Sequence, residues 1–226
     1  MCGTVHEAPF VEGGASPVLS TDKLDITVKV TTSDGTPVRI EGCTETELTN
    51  NTETVLHAKG TAVILKGKII KLEYAGNQLT ALNVQGLSTL QRLDCEGNRL
   101  TSLNVQGLSA LQYLDCAGNQ LTELDAQGLN ALQTLGCANN QLISLKIQGL
   151  STLQFLACVG NQLTSLNAQG LSALQHLDCR KNKLTELKVR GCTALPNLYC
   201  DDNKLTELDV RHLNSLQKLE CRRNQL

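Results

Sequence analysis

The chain has 226 residues, 41% of them hydrophobic and 19% charged, and 22 Asp and Glu nearly balance 20 Lys and Arg. That balance argues against a strongly basic nucleic-acid binder, and without eighteen consecutive apolar residues no helix is expected to span a membrane. Aromatic residues make up 2% of the chain, so leucine must fill the core; 36 of the 41 leucines lie at or after Leu72.

Residues 1–20, rich in Gly, Pro, Ala and Ser, predict a flexible N-terminal segment without the apolar stretch of a secretory signal. Met1-Cys2-Gly3 leaves two readings open: Cys2 as an ordinary second residue, or as the lipid-bearing start of a mature envelope protein. From Leu24 apolar and polar residues alternate, with Leu24, Ile26, Val28 and Val30 on one face of a strand. Asp34-Gly35 then signals a tight turn, and Val38 and Ile40 a return strand, which together predict a β-hairpin. Val55 to Ala58, Ala62 to Leu65 and Ile69 to Leu72 continue as strands. Residues 21–68 are accordingly expected to form an N-terminal β-cap that seals one end of the C-terminal region.

Residues 69–226 repeat. Cys95, Cys116, Cys137, Cys158, Cys179, Cys200 and Cys221 recur every 21 residues, and so do Asn77, Asn98, Asn119, Asn140, Asn161, Asn182, Asn203 and Asn224. One unit, Leu90-Gln-Arg-Leu93-Asp-Cys95-Glu-Gly-Asn98-Arg-Leu100, fits the leucine-rich-repeat pattern L-x-x-L-x-L-x-x-N-x-L, with cysteine replacing the third leucine. Leu93 and Cys95 alternate with Arg92 and Asp94, which is strand periodicity with one face inward. A single coil cannot bury that face alone, so coils stack and their strands form a parallel sheet. The expected fold is mainly β: a solenoid of about eight coils with an incomplete last coil and an N-terminal β-hairpin cap. A 21-residue period leaves little room for a helix on the return path, where short extended or 3₁₀ pieces are expected. Gly86, Gly107, Gly128, Gly149, Gly170 and Gly191 mark the bend of that path. In the first coil Tyr74 takes the cysteine position, as suits a terminal coil meeting a cap.

The ladder cysteines read as small buried hydrophobes. No C-x-x-C occurs, and adjacent ladder positions lie a strand spacing apart, wider than the roughly 3.8 Å between β-carbons that a disulfide prefers. Cys192 takes an inward leucine position. The last coil ends on Leu226 with no polar capping sequence. Unless covered, Leu213, Leu216, Leu219, Cys221 and Leu226 are therefore expected to be exposed edge-on, and either self-association into a homodimer through them or a continuation of the protein is expected to bury this end.

The residues between the inward ones point out of the strand face. In successive coils they are Arg92, Asp94, Glu96; Tyr113, Asp115, Ala117; Thr134, Gly136, Ala138; Phe155, Ala157, Val159; His176, Asp178, Arg180; Asn197, Tyr199, Asp201; and Lys218, Glu220, Arg222. Two central rows carry no charge. Tyr113, Ala117, Thr134, Ala138, Phe155, Ala157 and Val159, with His176 and Tyr199 beside them, form the candidate partner-binding surface: an apolar patch rimmed by charge, of the kind that binds protein. His176, Asp178, Tyr199 and Asp201 converge on adjacent strands, but such sets arise on any mixed-charge sheet, and no metal or other cofactor is expected. No Ser-His-Asp or Cys-His set shares a face, because the ladder thiols point inward, so no enzyme is expected.

The block Leu-Asp-Cys-x-Gly-Asn-Gln-Leu-Thr-x-Leu-x-Val-x-Gly resembles the cysteine-containing 21-residue leucine-rich-repeat proteins of host-associated bacteria, the internalin J-like type, with relatives in spirochaetes. Gly191-Cys192-Thr-Ala-Leu195 is similar to the form that most members use in every coil, whereas the other coils here carry Gly-Leu-Ser or Gly-Leu-Asn. The resemblance covers roughly residues 60–226. It implies a bacterial envelope or surface protein, rather than a cytoplasmic one, that attaches to a host protein. Passive self-assembly through the last coil is the alternative function.

Overall fold

The computed structural model describes residues 7–226, so Cys2 lies outside the described residues. All of its regular elements are strands. They are β1 (Gly14–Val18), β2 (Asp25–Thr32), β3 (Val38–Glu41), β4 (Glu47–Leu48), β5 (Thr54–His57), β6 (Ile64–Lys66), β7 (Ile69–Glu73), β8 (Ala81–Asn83), β9 (Arg92–Asp94) and β10 (Tyr113–Asp115). Next along the chain come β11 (Glu123–Asp125), β12 (Thr134–Gly136), β13 (Ser144–Lys146), β14 (Phe155–Ala157), β15 (Ser165–Asn167), β16 (His176–Asp178), β17 (Glu186–Lys188), β18 (Asn197–Tyr199) and β19 (Lys218–Glu220).

The main sheet has ten strands in the order β19-β18-β16-β14-β12-β10-β9-β7-β2-β5. From β7 to β19 its pairing is parallel and in register at 21 residues, so that Leu72, Leu93, Leu114, Leu135, Leu156, Leu177, Leu198 and Leu219 stand side by side. The first seven of these leucines and the ladder from Cys95 to Cys200 are fully or almost fully buried. Among the described residues nine cysteines are free thiols. Burial pushes the Cys158 and Cys200 thiols up to about 12 and Cys192 to about 11, so the ladder consists of neutral SH groups.

The buried asparagines close the turns. Asn98 shows the pattern: its Oδ1 accepts from Leu79 N at 2.9 Å, while its Nδ2 donates to Tyr74 O at 3.0 Å and Cys95 O at 2.9 Å. Each amide thus satisfies its own coil's carbonyl and two groups of the coil before it, which would otherwise be buried without partners. Asn77 has no preceding coil. Thr27 of β2 substitutes for one, donating its N–H to Asn77 Oδ1 at 2.7 Å and accepting from Nδ2 at 2.6 Å. The residue before each ladder asparagine is left-handed, as at Gly118 (φ 63°) and Gly160 (φ 69°). Asn139, Lys181, Asp202 and Arg223 adopt the same conformation without glycine's freedom.

The N-terminal strands depart from the expected pattern in two ways. Gly14–Val18, within the segment read as flexible, is a buried strand whose two edges pair with β6 and β8. It holds few large apolar side chains because close backbone packing is what buries it: a Cβ on Gly14 would lie 2.5 Å from Leu65 O. The hairpin at Asp34-Gly35 does not form between β2 and β3 either. β2 pairs with β5 and β7, whereas β3 pairs with β4 and β6 in another sheet. The turn therefore passes the chain from one layer to the next. Ile26, Val28 and Val30 on β2 and Val38 and Ile40 on β3 all face the buried interior.

The return path is extended and broken. β11 pairs only with β13, and β15 only with β17. Residues 102–104 and 207–209 form no strand, and a groove of about 570 Å³ opens between Glu186–Arg190 and Glu207–Arg211. Of the bend glycines, Gly149 (φ 82°) is left-handed, as are four of its equivalents, but Gly86 is not. At Gly86 the requirement is space, since a Cβ would run into Val11 O.

Candidate functional site

The strand face is a grid whose columns follow from the register. One column runs Arg92, Tyr113, Thr134, Phe155, His176, Asn197, Lys218, and the next runs Asp94, Asp115, Gly136, Ala157, Asp178, Tyr199, Glu220. All nine candidate partner-binding residues lie on this face. Phe155 is 38% exposed, and Tyr113, Ala117, Thr134, Ala138, Ala157, Val159, His176 and Tyr199 are half-buried.

Their side chains group differently from a single patch ending at Tyr113. Phe155 stacks on His176 with centroids 4.6 Å apart and planes 7° from parallel, and His176 leans on Tyr199 at 5.2 Å. Burial is the main cause that lowers the pKa of His176, with the Arg180 charge adding to it and Asp178 opposing, so the imidazole is neutral at neutral pH. Cations close both ends. The Arg92 guanidinium lies 3.6 Å over the Tyr113 ring, and Arg180 and Lys218 stand 5.3 and 4.9 Å from the Tyr199 ring. Arg180 is held by two bonds to Asp178, at 2.8 and 2.6 Å.

A charge also enters the two rows read as uncharged. Gly136 has no side chain, and the Asp115 carboxylate occupies that space: a Cβ there would be 2.9 Å from Asp115 Oδ1. The same Oδ1 accepts from Ala117 N at 3.1 Å, and Tyr113 Oη donates to Oδ2 at 3.4 Å. Toward the N-terminal end the face is acidic. Burial first, with the neighbouring carboxylates adding to it, raises the pKa of Asp94 and Glu96, and at Asp94 the Glu96 N–H opposes the shift.

Reading outward-pointing positions coil by coil missed the cationic lids on Tyr113 and Tyr199. For Tyr113 and for the ring stack the signal lay in the 21-residue step: Arg92 and Tyr113 are one period apart, as are Phe155 and His176. Among the described residues no group of three or more His, Cys, Asp or Glu is placed to hold a metal ion, and no helix is long and apolar enough to cross a membrane.

The self-association candidates divide. Leu213 is 5% exposed, contrary to the expectation that it lies open: it packs into the continuous leucine core, and its N–H bonds Val210 O. Leu216 and Cys221 are half-buried, while Leu219 and Leu226 are 39% and 58% exposed.

Stacked 21-residue coils with buried cysteine and asparagine columns define a leucine-rich-repeat solenoid, and the fold is internalin-like. Among solved structures, the functional domain of InlJ from Listeria monocytogenes, which includes a cysteine ladder, is 28% identical over 74% of this chain and 43% of its own, with a TM-score of 0.57. A leucine-rich-repeat protein of Leptospira interrogans is 30% identical over 70% of this chain and 44% of its own, with a TM-score of 0.63. Internalin C2 of Listeria monocytogenes is 26% identical over 70% of this chain and 73% of its own, at a TM-score of 0.57. The chain spans under half the length of the first two. No protein-family model and no curated protein matches it.

Proposed function

We propose that the chain is a non-enzymatic protein-binding module that engages a partner protein through its strand face. The observation that carries this reading is the Phe155–His176–Tyr199 stack. It lies beside a shallow floor of small side chains at Ala117, Ala138, Ala157 and Val159 and is rimmed by ion pairs. Aromatic anchors within a charged rim are the common anatomy of an interface. The internalin-like fold supports placing it at a bacterial surface, attached to a host protein.

The test compares two charge insertions. Phe155→Asp alters the strand face, and Ile143→Asp alters the return path at a side chain that is already 68% exposed. Both variants should fold. Proteins recovered from host-cell extract by the wild-type chain and by Ile143→Asp, but lost with Phe155→Asp, are the expected result. Equal recovery by all three would refute the strand face as the binding surface.

Stacking of a second copy on the last coil is the other reading, favoured by the exposure of Leu219 in β19, which pairs only with β18, and of Leu226. Light scattering that reports a dimer, abolished by Leu219→Lys, would support it.

A further inference from the structure

We propose that the gap above Thr134, between the rings of Tyr113 and Phe155, receives the guanidinium of an arginine presented by the partner protein; this rests on the strand-face reading above. From Arg92 to His176 the column that holds these residues is a file of flat groups interrupted at Thr134. Arg92 covers one face of Tyr113 and His176 covers one face of Phe155. Thr134, with its short side chain, lies on the strand between them, so with Arg92 and His176 on the outer sides the uncovered faces would look onto it from either side. Tyr113 and Phe155 stand two strand spacings apart, roughly 9.6 Å. A planar group centred over Thr134 would lie about 4.8 Å from each ring, close to the 4.6 Å at which Phe155 meets His176.

Geometry alone would admit any flat group, and charge selects among them. Asp115 leans over Gly136 beside the gap, with Asp94 and Glu96 behind it on the acidic end of the face. An arginine presents a planar face to both rings and N–H donors at its edge to the carboxylate. A lysine would answer the charge without filling the gap, and a neutral ring would fill the gap without answering the charge.

The chain already contains this arrangement two coils earlier. Arg92 lies over Tyr113 while its Nε donates to Glu73, one coil earlier in the neighbouring column, at 3.2 Å. A guanidinium over Thr134 would bear the same relation to Asp115, and Tyr113 would then be covered on both faces.

Proton NMR of the full chain, titrated with acetyl-Gly-Arg-Gly-amide, its lysine analogue and its phenylalanine analogue, tests the proposal. The arginine peptide should shift the ring resonances of Tyr113 and Phe155, move its own side-chain signals upfield, and bind about fivefold or more tightly than the lysine peptide. Thr134→Tyr, which fills the gap from within, should abolish those shifts, and Asp115→Asn should weaken them. Should Thr134→Tyr fail to fold, Phe155→Ala removes one wall and must weaken binding likewise. Equal binding of the lysine peptide, tighter binding of the phenylalanine peptide, or shifts that persist in these variants would overturn it. A protein partner that still depends on Phe155 while the arginine peptide leaves both rings unmoved would defeat this inference alone. Arginine binding at the rings without any Phe155-dependent protein partner would defeat the broader reading instead.

Discussion

The two long sides of the solenoid are built from the same coils, yet one is a continuous sheet and the other is not. On the strand side eight parallel strands pair without interruption, and an asparagine amide closes each strand exit from beneath. On the return side pairing lapses after every second coil and grooves open. The difference lies in what faces inward at each place. A buried amide offers two donors and an acceptor at a fixed position, whereas the return path has leucines inside and local side-chain bonds outside, such as Asn104 Oδ1 accepting from Gln106 N at 3.0 Å. Hydrophobic burial is non-directional. It holds the return segments in place without fixing their register, so the side fixed by directional bonds is the one that can display side chains at set spacings.

The comparison can be broken most sharply at the leucines. Leu135→Ala, in the middle of the sheet, should cost about 2–5 kcal/mol in urea denaturation, while Ile143→Ala on the return side should change stability by less than about 0.5 kcal/mol. The amides come next. Asn140→Ala leaves Leu121 N, Cys116 O and Cys137 O without the partner that lies 3.0, 3.0 and 3.2 Å away. A loss of about 2–3 kcal/mol is expected, against about 0.5 kcal/mol or less for Asn104→Ala.

Alkaline pH separates the sides in another way. The Cys158 thiol is held near 12 in the folded chain and titrates at about 8.5 when unfolded. The folded state therefore keeps a proton that the unfolded state gives up. The contribution of this thiol to stability is complete below about pH 8.5 and declines as pH rises toward 12. At pH 10 the wild type should have lost about 2 kcal/mol more, relative to pH 7, than Cys158→Ala. Urea midpoints at the two pH values measure this, and parallel declines would show that the ladder thiol is not the titrating group. The smallest effect is a gain: Lys181→Gly, at φ 54°, should raise stability by about 0.5–1 kcal/mol by relieving a left-handed lysine. Thermal unfolding would detect it.

The coil register was legible from spacing alone, because Cys95 to Cys200 and Asn77 to Asn203 can stay buried only if successive coils superimpose. The grid of the strand face came directly from that register. What pattern reading could not reach were contacts decided by packing among neighbours. Alternation on either side of Asp34-Gly35 signals two strands but not that β5 and β7 already occupy both edges of β2. Gly14–Val18 reads as a loop by composition, since its burial comes from backbone approach. Thr27 carries no sign that its backbone will satisfy Asn77. The lids on Tyr199 depend on how the long side chains of Arg180 and Lys218 lean across from neighbouring columns, which the order of outward positions does not contain.

The reach of each ladder amide into the coil behind it also makes the molecule adjustable in length. Every junction presents the same carbonyl and N–H to the next coil, so removing or inserting 21 residues anywhere between Asn98 and Asn203 restores the original bonding, whereas 20 or 22 would not. Each such step made before Phe155 should move the aromatic cluster by one strand width, about 4.8 Å, relative to the N-terminal strands. The architecture is in effect a ruler, on which the separation of two contact points can be reset without redesigning either.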